Sequence, residues 1–172
     1  MENLKKYITE TKNFPKPGIE FKDINPIYKN PNLWSQSMSS LEEFIKRKRP
    51  DYIAGVESRG FIIGSALAYK LNIGFIPIRK PNKLPGDVIG IDYVLEYGSD
   101  RLEIQKELID VGASFILIDD LLATGGTAFT AGKLIRKTGA KLIGYGFLAE
   151  LTKLKGRKLL DQNLCIESVI KY

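Results

Sequence analysis

The stretch Phe115-Ile116-Leu117-Ile118-Asp119-Asp120-Leu121-Leu122-Ala123-Thr124-Gly125-Gly126-Thr127 decides the fold. Its four leading apolar residues lack polar alternation, which predicts a strand buried on both faces, as in a parallel sheet. Two adjacent carboxylates end the run, a turn of small residues follows, and residues 128–137 continue with helical spacing. In sheets built from such units, ligands bind beyond the carboxyl ends of the strands. The acids and the turn therefore stand where a ligand is expected.

The turn has its own chemistry. Gly125 and Gly126 allow backbone conformations and close approaches that a side chain would forbid, and Thr124 and Thr127 add hydroxyls. Successive N–H groups at a helix start form an anion cradle, helped by the helix dipole. A phosphate monoester suits that cradle. The two acids repel a phosphate but accept hydrogen bonds from hydroxyls, and a ribose supplies two. Together these features ask for a ribose 5-phosphate. A buried strand followed by an ordinary helix cap would explain the turn, but it leaves the paired acids without a purpose, since like charges side by side disfavour folding.

Outward from this segment, strands alternate with helices, which argues for a doubly wound α/β sheet, mainly parallel and flanked by helices. Residues 1–31, with Pro15, Pro17, Pro26 and Pro31, read as an extended arm and turns. A helix is predicted over residues 32–48, with strands at 52–56, 74–79, 115–119 and 141–150, an edge strand at 164–170, and a helix over 61–71. Residues 80–100 hold three glycines and two prolines and read as a long loop or mobile hairpin. At 172 residues a single domain is expected.

Composition narrows the function. The chain has no histidine, which removes the commonest general base, histidine zinc sites and Ser-His-Asp triads. A net charge of +6 points to an anionic partner. The basic run Lys46-Arg47-Lys48-Arg49 reads as the C-terminal end of a helix rather than a nucleic-acid patch. No apolar run approaches the ~20 residues of a membrane span, and the start MENLKKYITE lacks the apolar core of a secretory signal. No nucleic acid and no membrane are expected as partners, and a cytoplasmic location is. The single cysteine, Cys165, lies between Leu164 and Ile166 and reads as a buried strand residue.

Two look-alike motifs carry no function. Gly144-Tyr145-Gly146-Phe147-Leu148-Ala149 matches a dinucleotide fingerprint but lies inside a predicted strand, where the turn it requires is absent; its glycines make room for neighbours. The run from Thr127 to Lys133 has the wrong spacing for a phosphate-binding P-loop, and Leu134 stands where that motif needs Ser or Thr.

The central segment resembles the phosphoribosyl-diphosphate motif of type I phosphoribosyltransferases, and the resemblance extends over residues 14–157. Phe14-Pro15-Lys16-Pro17-Gly18-Ile19-Glu20-Phe21-Lys22-Asp23-Ile24 is similar to the N-terminal purine-binding hood of the adenine-specific branch. Tyr52-Ile53-Ala54-Gly55-Val56-Glu57-Ser58-Arg59-Gly60-Phe61 resembles its diphosphate loop. Arg79-Lys80-Pro81-Asn82-Lys83-Leu84-Pro85-Gly86 and Leu95-Glu96-Tyr97-Gly98 resemble the two ends of its mobile loop, and Glu150-Leu151-Thr152-Lys153-Leu154-Lys155-Gly156-Arg157 its C-terminal signature.

The resemblance implies transfer of the 5-phosphoribosyl group from 5-phosphoribosyl-1-diphosphate to adenine, giving AMP and pyrophosphate. It implies Glu96 as the catalytic carboxylate, Asp119 and Asp120 on the ribose hydroxyls, and Ala123, Thr124, Gly125, Gly126 and Thr127 on the 5-phosphate. Glu57, Ser58, Arg59, Arg79, Lys80 and Lys83 would meet the diphosphate, with a cis peptide between Glu57 and Ser58. Glu20, Phe21, Lys22 and Leu121 would meet adenine; many relatives place Arg where this chain has Lys22, which lacks the planar fork. Mg2+ would arrive mainly with the diphosphate, and a homodimer is expected. Transfer to another purine base, or a non-catalytic sensor of phosphoribosyl diphosphate, are the alternatives.

Overall fold

In the computed structural model, residues 4–14, 16–18, 20–95 and 98–172 are described. A hairpin of β1 (Thr9–Lys12) and β2 (Glu20–Asp23) comes first, then α1 (Asn25–Lys29) and α2 (Pro31–Lys48). The body follows as β3 (Tyr52–Val56), α3 (Arg59–Leu71), β4 (Gly74–Ile78), the antiparallel pair β5 (Val88–Leu95) and β6 (Gly98–Gln105), β7 (Ser114–Leu122), α4 (Gly126–Lys137), β8 (Lys141–Glu150) and β9 (Cys165–Lys171). The central sheet has five strands in the order β4-β3-β7-β8-β9, and every pair in it is parallel.

The uninterrupted apolar run of β7 is explained by cover on both faces. Ile116 and Ile118 pack with Leu41, Phe44 and Ile45 of α2 and Ile63 and Leu67 of α3. Phe115 and Leu117 belong to the opposite core, with Ala131, Leu134 and Ile135 of α4 and Leu102 and Ile104 of β6. Each fully buried aliphatic side chain contributes roughly 1.5–3 kcal/mol. The doubly wound reading therefore holds, with one difference: part of the second face is covered by the β5–β6 hairpin rather than by helix.

Helix α2 begins where its sequence says it must. Asn30 caps it, its side-chain oxygen accepting from the backbone N–H groups of Asn32 (3.0 Å) and Leu33 (3.2 Å), and Pro31 sits in the first turn. Lys46, Arg47 and Lys48 close the last turn, so that cluster is a helix end. Gly144 and Gly146 of β8 make room for this helix: a Cβ there would lie 2.8 Å from Phe44 Cζ and 3.1 Å from Leu41 Cδ2, respectively.

Two expectations need correction, and one alternative is resolved. The first thirty residues are more than an extended arm, since they hold the β1–β2 hairpin and the short helix α1, which Pro26 starts. Of the loop or hairpin expected over 80–100, the strands Val88–Leu95 and Gly98–Gln105 show the hairpin, because alternate residues such as Leu102 and Ile104 find apolar cover on the sheet. Cys165 is exposed, not buried: it is the first residue of the edge strand β9, before the packed part of that strand.

Candidate active site

Strand β7 outruns its neighbour. It pairs with β3 only as far as Gly55 opposite Ile118, but with β8 through Leu122 opposite Glu150. Asp119 and Asp120 thus remain in the strand, not after it, and stand past the paired end of β3 at the carboxyl edge of the sheet. Asp119 Oδ1 accepts from the Asp120 N–H at 2.9 Å. Arg59, the first residue of α3, places Nη2 2.6 Å from Asp120 Oδ2.

Burial pushes both carboxyls above their ordinary range. For Asp119 the neighbouring Asp120 charge adds to the effect and lifts it well above that range. For Asp120 the Arg59 guanidinium pulls the other way. Gly60 explains how α3 comes so near: a Cβ there would sit 2.9 Å from Asp119 Oδ1 and 2.9 Å from the Ile118 carbonyl oxygen.

Past the acids the backbone turns through Ala123 and Thr124 into Gly125, at φ 90°, which starts α4. No side chain caps this helix, so its leading N–H groups stay available to an anion. Gly126 has open space around its Cα, with no atom within 4 Å of the position that a Cβ would take. Thr124 is exposed, and Thr127 is half-buried in the first turn.

The Glu57–Ser58 peptide is cis, as the resemblance implied. The Glu57 carboxylate accepts from Arg79 Nε (3.2 Å) and Nη2 (3.1 Å) and from the Lys80 N–H (3.0 Å). Arg79 holds that carboxyl below its usual range. Arg79 Nη1 also donates to the Lys83 carbonyl at 3.0 Å, and Lys80 Nζ pairs with Asp100. Of the basic side chains expected at a diphosphate, Arg59, Arg79 and Lys80 each face a carboxylate and Lys83 is exposed.

A phosphoribosyl transferase domain matches residues 23–168. An adenine phosphoribosyltransferase of Prochlorococcus marinus (strain NATL1A) is 64% identical over 172 residues, covering 100% of each chain. The chain belongs to the adenine phosphoribosyltransferase family. Among solved structures, the adenine phosphoribosyltransferase of Thermoanaerobacter pseudethanolicus superposes with a TM-score of 0.94 at 44% identity, covering 98% of each chain. That of Saccharomyces cerevisiae, complexed with an imino-altritol bisphosphate and adenine, superposes with a TM-score of 0.90 at 41% identity, covering 96% of each. The central parallel sheet flanked by helices is the fold that this family shares.

The residues expected at adenine lie on β2 and at the end of β7. Phe21 lies on β2, with Phe14 edge-on at 5.1 Å between centroids, while the Arg59 guanidinium stands 5.1 Å from its ring centroid. Leu121 is half-buried against the core on the α2 side. Glu20 and Lys22, two apart on β2, direct their backbone groups to the same edge of the strand. The Lys22 side chain is engaged elsewhere: its ammonium pairs with Glu10 and lies 4.9 Å from the centroid of the Tyr172 ring. Glu96 lies outside the described residues.

Sequence reading missed three contributors. Gly60 admits Asp119, Gly156 backs the turn at Gly125, and Tyr28 buries an unbonded hydroxyl on the core beside α2. The first two sit inside quoted motifs, so a glycine flanked by function was the available signal. Tyr28 had none.

Proposed function

We propose that this chain transfers the 5-phosphoribosyl group from 5-phosphoribosyl-1-diphosphate to adenine in purine salvage, with the roles the geometry allows each residue. The observation that carries the reading is the carboxylate pair on β7, followed within five residues by an uncapped helix start. Asp119 and Asp120 accept from the ribose 2- and 3-hydroxyls, and Ala123, Thr124, Gly125, Gly126 and Thr127 bind the 5-phosphate. The ribose C1–O bond to diphosphate breaks as the bond from C1 to the purine nitrogen forms. Positive charge develops on the sugar, and the buried acids stabilise it more strongly than water would.

The leaving diphosphate meets the cis Glu57–Ser58 turn and Arg59, with Arg79, Lys80 and Lys83 at the rim. Among the described residues no cluster of three His, Cys, Asp or Glu side chains could hold a metal. Mg2+ would arrive mainly with the diphosphate, keeping most of its ligands on substrate oxygens and water. When bound, Mg2+ neutralises charge on the departing diphosphate. Glu96 exchanges a proton with a purine ring nitrogen. Phe21 and Leu121 enclose adenine, and the backbone of Glu20 and Lys22 reads its edge; Arg59 leaves the face of Phe21 when the purine arrives.

The proposal also includes one domain over residues 1–172, with 1–31 as the hood and 80–100 as the mobile loop, in a cytoplasmic homodimer. An apolar face of α3 supports the dimer: Ile62 is 47% and Tyr69 91% exposed, two helical turns apart. Incubation with phosphoribosyl diphosphate, Mg2+ and adenine tests the reaction. AMP and pyrophosphate formed in equal amounts support it, and no product from folded protein overturns it.

A further inference from the structure

The C-terminal motif, which the reaction above leaves unused, lies directly behind the turn assigned to the 5-phosphate. Gly156 opens a 3-10 turn (Gly156–Leu159) entered through Lys155 at φ 54°. Its backbone touches the backbone of the phosphate turn. A Cβ on Gly156 would lie 2.1 Å from the Ala123 carbonyl oxygen and 2.9 Å from Gly125 N, and one on Gly125 would lie 2.5 Å from the Gly156 carbonyl oxygen. Neither chain segment can give way as a flexible side chain would, so the position of one sets the position of the other.

Arg157 fixes that second segment to the sheet. Its Nε and Nη2 donate to the two Glu150 oxygens at 3.1 and 2.5 Å, Nη1 donates to the Ile166 carbonyl at 2.9 Å, and Nη2 also reaches Ser168 Oγ at 3.2 Å. Glu150 is only 5% exposed and ends β8, opposite Leu122 of β7 and Lys171 of β9. The guanidinium therefore ties the turn at Gly156 to two strands, one of which runs alongside the strand that carries the acids. A forked donor with every arm engaged suits this task, and a lysine could satisfy only part of it.

We propose that Arg157, acting through Glu150 and Gly156, is a positioning residue for the 5-phosphate: it sets the backbone wall against which the turn Ala123–Gly125 is shaped. It touches no substrate. This inference rests on the assignment of that turn to the 5-phosphate. Displacing a cradle of N–H groups by about 1 Å weakens a productive geometry by up to ~100-fold, so the effect belongs to ligands that carry the 5-phosphate.

The test compares the wild type with Arg157→Lys, Gly156→Ala and the milder Ser168→Ala. Calorimetry would measure affinity for ribose 5-phosphate and, separately, for pyrophosphate with Mg2+, with thermal melting alongside. Arg157→Lys and Gly156→Ala should weaken ribose 5-phosphate by about 10–100-fold and leave pyrophosphate nearly unchanged, and Ser168→Ala should follow in the same direction, by less. In turnover, KM for phosphoribosyl diphosphate should rise more than kcat falls. If Arg157→Lys and Gly156→Ala do not fold, Ser168→Ala decides by the same selectivity. Variants that melt earlier but bind ribose 5-phosphate as the wild type does would overturn the inference, as would equal weakening of both ligands. A wild type that binds pyrophosphate but not ribose 5-phosphate would remove the 5-phosphate assignment, and the inference with it.

Discussion

Arg59 Nη2 stands 2.6 Å from Asp120 Oδ2, so a cation assigned to the leaving diphosphate and an acid assigned to the ribose neutralise each other. Under the proposed roles, phosphoribosyl diphosphate would come between them. Its diphosphate can take over Arg59 while its hydroxyls take over Asp120, so the ion pair is exchanged for equivalent contacts rather than simply broken.

Arg59→Ala should shift the pH dependence of kcat/KM. Burial raises the Asp120 carboxyl and Arg59 opposes that rise. Without the guanidinium, Asp120 ionises at higher pH, and the acid limb of the profile moves towards neutrality. The value of kcat/KM above that limb should fall by about 10–100-fold, the worth of one charged hydrogen bond. An unmoved acid limb would show that Asp120 does not limit the reaction.

Asp119→Asn should inactivate the protein and stabilise it at neutral pH. The Asp119 carboxyl is lifted well above its ordinary range by burial and by Asp120. Below about pH 4, folded and unfolded chains are both protonated there, so the residue contributes no pH dependence. As pH rises, the unfolded chain ionises first and the folded state loses stability relative to it until the folded group also ionises. The neutral amide avoids this loss. Melting temperatures of the variant and wild type should converge towards pH 4 and diverge towards pH 7, with the variant higher. Catalysis should drop by about 100-fold or more, the scale of losing one preorganised electrostatic contact.

Much of this arrangement was legible in the sequence. The apolar run Phe115–Ile118 and the helical spacing after Gly126 announced a parallel sheet, because both depend on local pattern. The acid pair and the glycine turn marked out the candidate site because their chemistry has few other uses. Pairing was not legible. That Lys22 meets Glu10 and Tyr172, or that Gly156 meets Gly125, depends on segments 12 to 150 residues apart that only the fold brings together. Cys165 was misread for a related reason: apolar sequence neighbours signal burial only where a strand is covered, and β9 is an edge.

Gly60→Ala should lower both stability and activity, although alanine is the better helix former by about 1 kcal/mol. The added methyl meets the Ile118 carbonyl oxygen and Asp119 Oδ1, each at 2.9 Å. Overpacking against backbone costs about 1–3 kcal/mol and outweighs the propensity gain. Denaturant titration should show a net loss of about 1 kcal/mol, and kcat/KM should fall as Asp119 is displaced. An unchanged or higher stability would mean that α3 can withdraw from β7.

Phe21→Ala and Lys22→Ala should separate base binding from hood support. Loss of the Phe21 ring removes a stacking surface worth about 1–3 kcal/mol per base, so KM for adenine should rise by about 5–150-fold. Lys22→Ala removes a side chain held by Glu10 and Tyr172. It should lower thermal stability while leaving the preference among purines unchanged. A change in that preference would place the Lys22 side chain on the base.

The most direct test offers adenine, hypoxanthine, guanine and xanthine separately, at equal concentration, with phosphoribosyl diphosphate and Mg2+, and measures the nucleotide formed from each. AMP formed well above the other three is the expected result. Preferred formation of another nucleotide would contradict the assignment of adenine to the Phe21 and Leu121 site, and no nucleotide from any base would contradict the transferase reading itself.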